Sequence, residues 1–134
     1  MTAEHLTTGQ AGEDAAVALL RKKGYAVLER NWRAGGLELD IICRDRDELV
    51  FVEVRTRSLG GLAQARETLT RSKQAKLVQA ACRYLSASGQ WDQPCRFDFV
   101  SVVKKGPELQ LEHERHVIDL SQALGGGDAA WQPW

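Results

Sequence analysis

Two short runs of apolar residues, each with acidic residues inside it, constrain the fold of this chain more than any other feature. Residues 37–42 read LELDII and residues 50–55 read VFVEVR. Runs of this kind are typical of β-strands, and the polar stretch DRDE at residues 45–48 is typical of a turn. The sequence therefore predicts a β-hairpin, with strands at 37–44 and 49–57, in which both strands carry charged side chains.

The register of this hairpin decides which side chains meet, because successive residues of a strand point to opposite faces of a sheet. A register with Asp40 opposite Glu53 collects apolar residues on one face. A shift by one residue would oppose Asp40 to Val52 and Leu39 to Glu53, which mixes charge with core. Polarity therefore favours the first register. It predicts these opposed pairs: Leu39 and Val54, Ile41 and Val52, Cys43 and Val50, Glu38 and Arg55, Ile42 and Phe51.

Asp40 and Glu53, paired in this way, have two interpretations. One face of an antiparallel sheet is often solvated, and the two acids would then be ordinary surface residues. However, Ile42 and Phe51 share the same predicted face, and like charges directly opposite each other destabilise a sheet. A divalent cation between the carboxylates would reverse the sign of that interaction, and Mg²⁺ prefers hard oxygen ligands. The residues alone leave both a metal site and a solvated face open.

The rest of the chain predicts an α/β domain with a mixed sheet flanked by helices. Apolar residues at helical spacing predict a first helix at about residues 9–23, ended by Gly24. The other predicted elements are a strand at 25–33, a connection at 58–70, a helix at 72–87 ended by Gly89, a strand at 96–103 and, within 109–120, one more strand before a short helical turn. We expect residues 1–124 to form one domain and residues 125–134, with Trp131 and Trp134, to form a flexible tail.

The charge balance limits how such a chain can bind nucleic acid. Lysine plus arginine equals aspartate plus glutamate at 18 each, so the formal net charge is zero. Proteins that bind nucleic acid through their overall charge are basic. Any such contact here therefore requires a local basic patch or a bound cation.

The cysteines and histidines argue against several kinds of metal and disulfide site, and the hydropathy predicts the cellular setting. Cys43, Cys82 and Cys95 are odd in number and lack C-x-x-C spacing, which argues against a disulfide framework and a zinc cluster. His113 and His116 are three residues apart on a predicted strand, hence on opposite faces, and are not expected to be ligands. No stretch is apolar and long enough to span a bilayer, and the polar N-terminus does not resemble a signal peptide. We therefore expect a soluble cytoplasmic protein with no membrane partner.

Several segments, taken in order, resemble a known family. An acidic residue on one strand and Glu-x-Lys on the next is the signature of the PD-(D/E)XK nuclease superfamily, and here it appears as Asp40 and then Glu53-Val54-Arg55. The chain is more closely similar to one branch, the YraN-like small bacterial proteins related to Holliday-junction resolvases. The segments that carry this resemblance, across about residues 9–124, are Gly12-Glu13, Arg30-Asn31-Trp32-Arg33, Leu37-Glu38-Leu39-Asp40-Ile41-Ile42, Phe51-Val52-Glu53-Val54-Arg55-Thr56-Arg57, Lys73 and Arg96-Phe97-Asp98.

The resemblance implies a restriction-endonuclease-like core that hydrolyses phosphodiester bonds in DNA, with branched DNA among the candidate substrates. It implies catalytic roles for Asp40, Glu53 and Arg55. It also implies a Mg²⁺ or Mn²⁺ ion held by Asp40, Glu53 and Glu13, which polarises the phosphate and activates a water. Glu13 lies near the inward face of the first helix, although an acid near a helix N-terminus is also favourable on electrostatic grounds alone. A homodimer follows by analogy with resolvases, which act on two strands.

Two positions depart from the family's pattern. Leu37 stands where the family has glycine, which alters the entry into the strand or narrows the approach of a substrate. Arg55 replaces the signature lysine, and because arginine stays protonated, it suits neutralisation of phosphate charge better than proton transfer. Lys73, at the start of the second helix, is a substitute cation, but it equally fits an ordinary exposed lysine.

Arg33, Arg57, Lys73 and Lys76 are candidates for contact with nucleic-acid phosphates, which position a nucleic acid without reading its sequence. Each of them alone also fits a solvated surface charge. The leading functional hypothesis is therefore a magnesium-dependent DNA endonuclease. One alternative is a catalytically weakened nucleic-acid-binding module of the same fold, which Arg55 suggests. The other is an interaction protein in which the carboxylates are structural.

Overall fold

The structure of the chain, a computed structural model, describes residues 3–58 and 60–119. In chain order its elements are α1 (Ala3–Lys22), β1 (Ala26–Ala34), β2 (Leu37–Asp45), β3 (Glu48–Arg57), α2 (Leu62–Glu67), α3 (Arg71–Ser88), β4 (Cys95–Lys105) and β5 (Glu108–Glu114). The five strands form one sheet in the order β1-β2-β3-β4-β5. Neighbouring strands are antiparallel except β3 and β4, which are parallel and joined by α2 and α3. The predicted α/β architecture with a mixed sheet is confirmed, and it is consistent with a restriction-endonuclease-like core.

Each face of the sheet carries its own apolar core. On one face, α3 packs residues such as Val78 and Leu85 against Ile42 and Phe51. On the other face, α1 packs residues such as Leu20 against Ile41 and Val52. Both faces are therefore covered in the middle of the sheet, so a charged side chain placed there is removed from bulk water. None of the helices in the described ranges is apolar and long enough to cross a membrane.

Three element predictions differ from the structure. Helix α1 begins at Ala3, earlier than the predicted residue 9. The predicted connection at 58–70 contains α2, a helix of 6 residues whose N-cap is Gly61. The Gln64 side chain accepts a hydrogen bond from the Gly61 N–H at 3.0 Å, so this cap lacks the usual Ser, Thr, Asp or Asn signal. The helical turn predicted after the last strand is absent from the described residues up to Asp119, and the tail at 125–134 lies outside them.

The predicted hairpin register is confirmed over the part of β2 and β3 that pairs. Ile41 lies opposite Val52, Ile42 opposite Phe51 and Cys43 opposite Val50. The ladder of paired residues stops at Ile41 and Val52. The prediction that Leu39 shares the Ile41 face is wrong, because Leu39 packs in the α3-side core with Ile42 and Phe51. The backbone of β2 therefore changes faces between Leu39 and Ile41, at the position of Asp40.

Candidate active site

Asp40 lies where β2 and β3 stop pairing. Its Oδ2 atom accepts a hydrogen bond from the Val54 backbone N–H at 2.9 Å. A side-chain oxygen thus takes the place that a backbone carbonyl of β2 would occupy in a continuous ladder. The carboxyl is half-buried, and burial is the main cause that raises its pKa above the usual range, since water no longer stabilises the charged form.

Glu53 on β3 brings a second carboxyl to the same place. Its side chain and that of Asp40 are close enough to share a hydrogen bond. The pKa of Glu53 is raised to about 8, first by burial and then by the negative charge of Asp40. Only 16% of the Glu53 side chain is exposed. At neutral pH the pair therefore holds a proton that separate carboxyls in water would release.

Arg55 completes this cluster. Its Nη2 atom lies 3.5 Å from Glu53 Oε2, a long ion pair. Its Nε atom is buried and has no hydrogen-bond partner among the described residues. Because an unpaired buried donor costs free energy, the position favours an acceptor such as a phosphate oxygen beside Arg55.

Arg55 also connects two cavities. A cavity of about 270 Å³ is lined by Glu53, Arg55, Lys73 and Lys76. A second cavity, of about 220 Å³, is lined by Arg55, Asp40 and Glu13. Lys73 and Lys76 on α3 therefore lie on one side of the Asp40 and Glu53 carboxyls, and Glu13 on α1 lies on the other side.

Glu13 reaches the site because α1 packs very closely on β3. Gly12 of α1 lies against Thr56 of β3. A Cβ atom added at position 12 would be 3.0 Å from Thr56 Cβ, which is too close for an ordinary contact. The Glu13 carboxylate is 14% exposed, and its Oε1 atom accepts hydrogen bonds from Arg30 Nη2 at 3.0 Å and Asn31 Nδ2 at 2.9 Å. Asn31 adopts a left-handed backbone conformation with φ 53°. The resemblance pointed to Arg30 and Asn31 as a motif, but only the structure shows that they fix the orientation of Glu13.

The other predicted phosphate-binding residues are farther from the carboxyls. Arg33 is 72% exposed and forms an ion pair with Glu38 at 3.0 Å. Both line a neighbouring cavity at the β1–β2 turn. Arg57 is exposed at the C-terminal end of β3. These two residues are placed to contact the periphery of a large ligand rather than the reacting group.

The donor set decides whether a cation fits this site. Within residues 3–58 and 60–119, no three His, Cys, Asp or Glu side chains come together in a group that could hold a metal ion. Asp40 and Glu53 supply two carboxylates, and Mg²⁺ usually takes one or two carboxylates together with waters and phosphate oxygens. Two carboxyls in contact, both with raised pKa values, also gain from a positive charge between them. The pair fits a hard divalent cation, while Glu13 is held by Arg30 and Asn31.

A second polar cluster, which sequence reasoning missed, lies at the other end of the sheet. The buried Arg96 bridges Asp98, Asp45 and Glu48 at 3.0, 3.0 and 2.7 Å, and Asp98 also contacts His113 Nε2 at 2.8 Å. Hydrogen bonds from His113 and Arg96 hold the pKa of Asp98 below its usual range, although burial alone would raise it. The sequence contains a sign of this cluster, because the charged residues Arg96 and Asp98 flank Phe97 within a mainly apolar strand. This cluster joins β2, β3, β4 and β5, and we interpret it as structural.

Comparison with known proteins identifies relatives over nearly the whole chain. The model of an uncharacterised protein family, UPF0102, matches residues 12–102. A protein of that name from Nitratidesulfovibrio vulgaris strain DP4 is 51% identical over 127 residues, which cover 95% of both chains. Another, from Lawsonia intracellularis, is 43% identical over 126 residues, covering 94% of this chain and 96% of the relative. A third, from Bacteroides thetaiotaomicron, is 43% identical over 111 residues, 83% of this chain and 91% of the relative. The names of these relatives describe no activity.

Proposed function

The chain belongs to the uncharacterised protein family UPF0102, the YraN-like family, and from that premise we propose that it is a metal-dependent endonuclease that hydrolyses phosphodiester bonds in DNA. The observation that carries the proposal is the contact between the half-buried carboxyls of Asp40 and Glu53. Sheet stability disfavours two acids side by side, and their burial makes the cost larger. An arrangement that is unfavourable for folding and favourable for a cation supports a functional role.

The role of each residue follows from its position. When bound, a Mg²⁺ or Mn²⁺ ion supplies a Lewis acid that polarises the phosphate and lowers the pKa of a water. Asp40 and Glu53 would hold it as carboxylates, and Glu53 would first have to release the proton that burial retains. Glu13 lines the same cavity as Asp40, and its negative charge would add to the attraction of the cation without direct ligation, because Arg30 and Asn31 hold its carboxylate.

Arg55 supports the proposal in one respect and weakens it in another. Its side chain is 36% exposed, so the accessible N–H groups of the guanidinium can donate hydrogen bonds to a phosphate oxygen, which stabilises negative charge in the transition state. It cannot exchange a proton as a desolvated lysine can. Lys73 lines the cavity that contains Glu53 and supplies a second positive charge. Because Arg55 also pairs with Glu53, a second candidate function is a nucleic-acid-binding module with weakened catalysis.

A cleavage assay tests the proposal. End-labelled linear, flapped and four-way DNA substrates are incubated with the purified chain and with Mg²⁺, Mn²⁺ or a chelator. We expect cleavage with either metal and none with the chelator. Binding without cleavage for the wild type, together with cleavage by Arg55→Lys, would support the second candidate. Absence of both cleavage and binding would contradict both candidates. Sedimentation of the same preparation tests the proposed homodimer, in which two sites would serve two strands.

A further inference from the structure

A groove leads away from Glu53 between α3 and the β1–β2 turn. Three adjoining cavities form it, and all three are lined by Leu37. The cavity that contains Glu53, of about 270 Å³, is followed by one of about 570 Å³ that is lined by α3 residues from Ala75 to Ser86, including Arg83. The third, of about 420 Å³, opens at Arg33 on the turn. The groove is thus continuous with the proposed catalytic site.

Charge is distributed unevenly around this groove. Helix α3 carries four basic residues and no acidic residue, in a chain whose net charge is zero. Strand β5, at the far edge of the sheet, carries three glutamates and neither lysine nor arginine. The α3 wall of the groove is therefore positive, Glu38 and Glu53 line the opposite wall, and β5 is negative. A polyanion that reaches the site is attracted along α3.

The cations along the groove are uncompensated. Lys73, Lys76 and Arg83 are exposed and form no ion pair with any side chain in the described ranges. Some arginines elsewhere are paired, since Arg30 and Arg66 each bridge a carboxylate at 3.1 Å or less. Unpaired charges in a groove are available to an external anion.

Arg83 lies against the β1–β2 turn. Gly35 has a φ of +57°, and a Cβ atom placed there would lie 2.7 Å from Arg83 Nη1. The guanidinium therefore contacts the backbone of the turn at Gly35. Arg83 also lines the cavity of about 570 Å³, so its charge lies across the groove between α3 and the turn while it remains accessible to a ligand.

We propose that Arg83 binds a phosphate of one nucleic-acid strand that runs along the groove from the catalytic site, with Lys73 and Lys76 between the two ends. The inference rests on the proposed nuclease function. From Lys73 to Arg83 the helix rises about 15 Å, which is the axial length of about four nucleotides of one strand in a duplex at 3.4 Å each. The α3 residues that line the larger cavity with Arg83 include no aromatic ring for base stacking; they are Ala75, Val78, Gln79, Cys82 and Ser86. The groove therefore contacts the backbone and is insensitive to base sequence.

Binding measured in the presence of a chelator tests this inference separately from cleavage. Fluorescent single-stranded and duplex oligonucleotides are titrated with wild type, Arg83→Gln, Arg83→Lys and Lys22→Gln over a range of salt concentrations. Lys22 is a matched control, because it is an exposed cation at the end of α1, on the opposite face of the sheet. The two probes distinguish a single strand from one strand of a duplex.

We expect Arg83→Gln to weaken binding about tenfold at 50 mM salt and to lower the slope of log K against log salt by about 0.7–0.9, the contribution of one phosphate contact. Arg83→Lys should stay near wild type, and Lys22→Gln should change the affinity less than twofold. Equal effects of Arg83→Gln and Lys22→Gln would overturn the inference while leaving any metal-dependent cleavage intact. Equal weakening by Arg83→Gln and Arg83→Lys with an unchanged slope would also overturn it, because packing on Gly35 would then be the cause.

Discussion

Replacing Glu53 with glutamine should remove a pH-dependent loss of stability. Folding raises the pKa of Glu53 from 4.5 to about 8. Between these pH values the Glu53 carboxyl is protonated in the folded chain and ionised in the unfolded chain. Folding stability is then highest below the unfolded value and falls as the pH rises through the folded value. At about 1.4 kcal/mol per pH unit, a rise of this size corresponds to a loss on the order of a few kcal/mol as the pH goes from acidic to alkaline, shared with Asp40 because the two carboxyls titrate together. Glutamine keeps the shape and can donate a hydrogen bond to Asp40, but it cannot ionise.

Urea unfolding of the two proteins at pH 5 and pH 9, in the presence of a chelator, measures this difference. We expect the free energy of unfolding of the wild type to fall by several kcal/mol more than that of Glu53→Gln. Addition of Mg²⁺ at pH 9 should restore stability to the wild type and have little effect on Glu53→Gln, because a cation replaces the lost proton. Parallel pH profiles for the two proteins would refute the reasoning, since Glu53 would then ionise freely in the folded chain.

Substitutions in three further parts of the structure, at Arg55, Gly12 and Asp98, test the account of each part. Arg55→Lys should preserve or raise metal-dependent cleavage and Arg55→Ala should reduce it at least tenfold, since phosphate charge loses its partner; equal rates for Arg55→Ala and wild type would remove Arg55 from the mechanism. Gly12→Ala should cost about 1–3 kcal/mol on thermal unfolding because its Cβ meets Thr56, whereas Gly9→Ala, with open space around it, should be neutral or stabilising. Asp98→Asn should cost about 1–3 kcal/mol, because the buried Arg96 guanidinium loses the charge of one of its three carboxylate partners while Asp45 and Glu48 remain. Because the pKa of Asp98 is lowered, this difference should shrink as the pH falls through the acidic range, and a difference that does not change with pH would contradict the role assigned to Asp98.

The hairpin that forms the centre of the sheet could be predicted because it depends on polarity alone. Apolar residues at Ile41, Cys43, Val50 and Val52 have one register that keeps them together, and a shift by one residue breaks it. Alternation does not continue through Asp40, because the Asp40 side chain accepts a hydrogen bond from the backbone of β3 and the strand changes faces there. Polarity therefore predicts the pairing only as far as Ile41.

The partners of the site residues were less predictable, because they come from distant parts of the chain. Glu13 was a candidate from its helix face, but its contacts with Arg30 and Asn31 depend on a left-handed residue inside β1. Strand propensities give no sign of such a conformation. Arg83 was not a candidate, because its place in the groove depends on the shape of the β1–β2 turn at Gly35.

The most direct test of the proposed metal-dependent chemistry is single-turnover cleavage of a labelled four-way DNA substrate by wild type and Asp40→Asn, each with Mg²⁺ and with a chelator. Asp40→Asn removes one of two like charges, keeps a side-chain oxygen for the Val54 N–H and should fold at least as well as the wild type. We predict cleavage only by the wild type and only with Mg²⁺, with an unchanged circular dichroism spectrum for the variant. Cleavage by a folded Asp40→Asn at the rate of the wild type would contradict the assignment of the site.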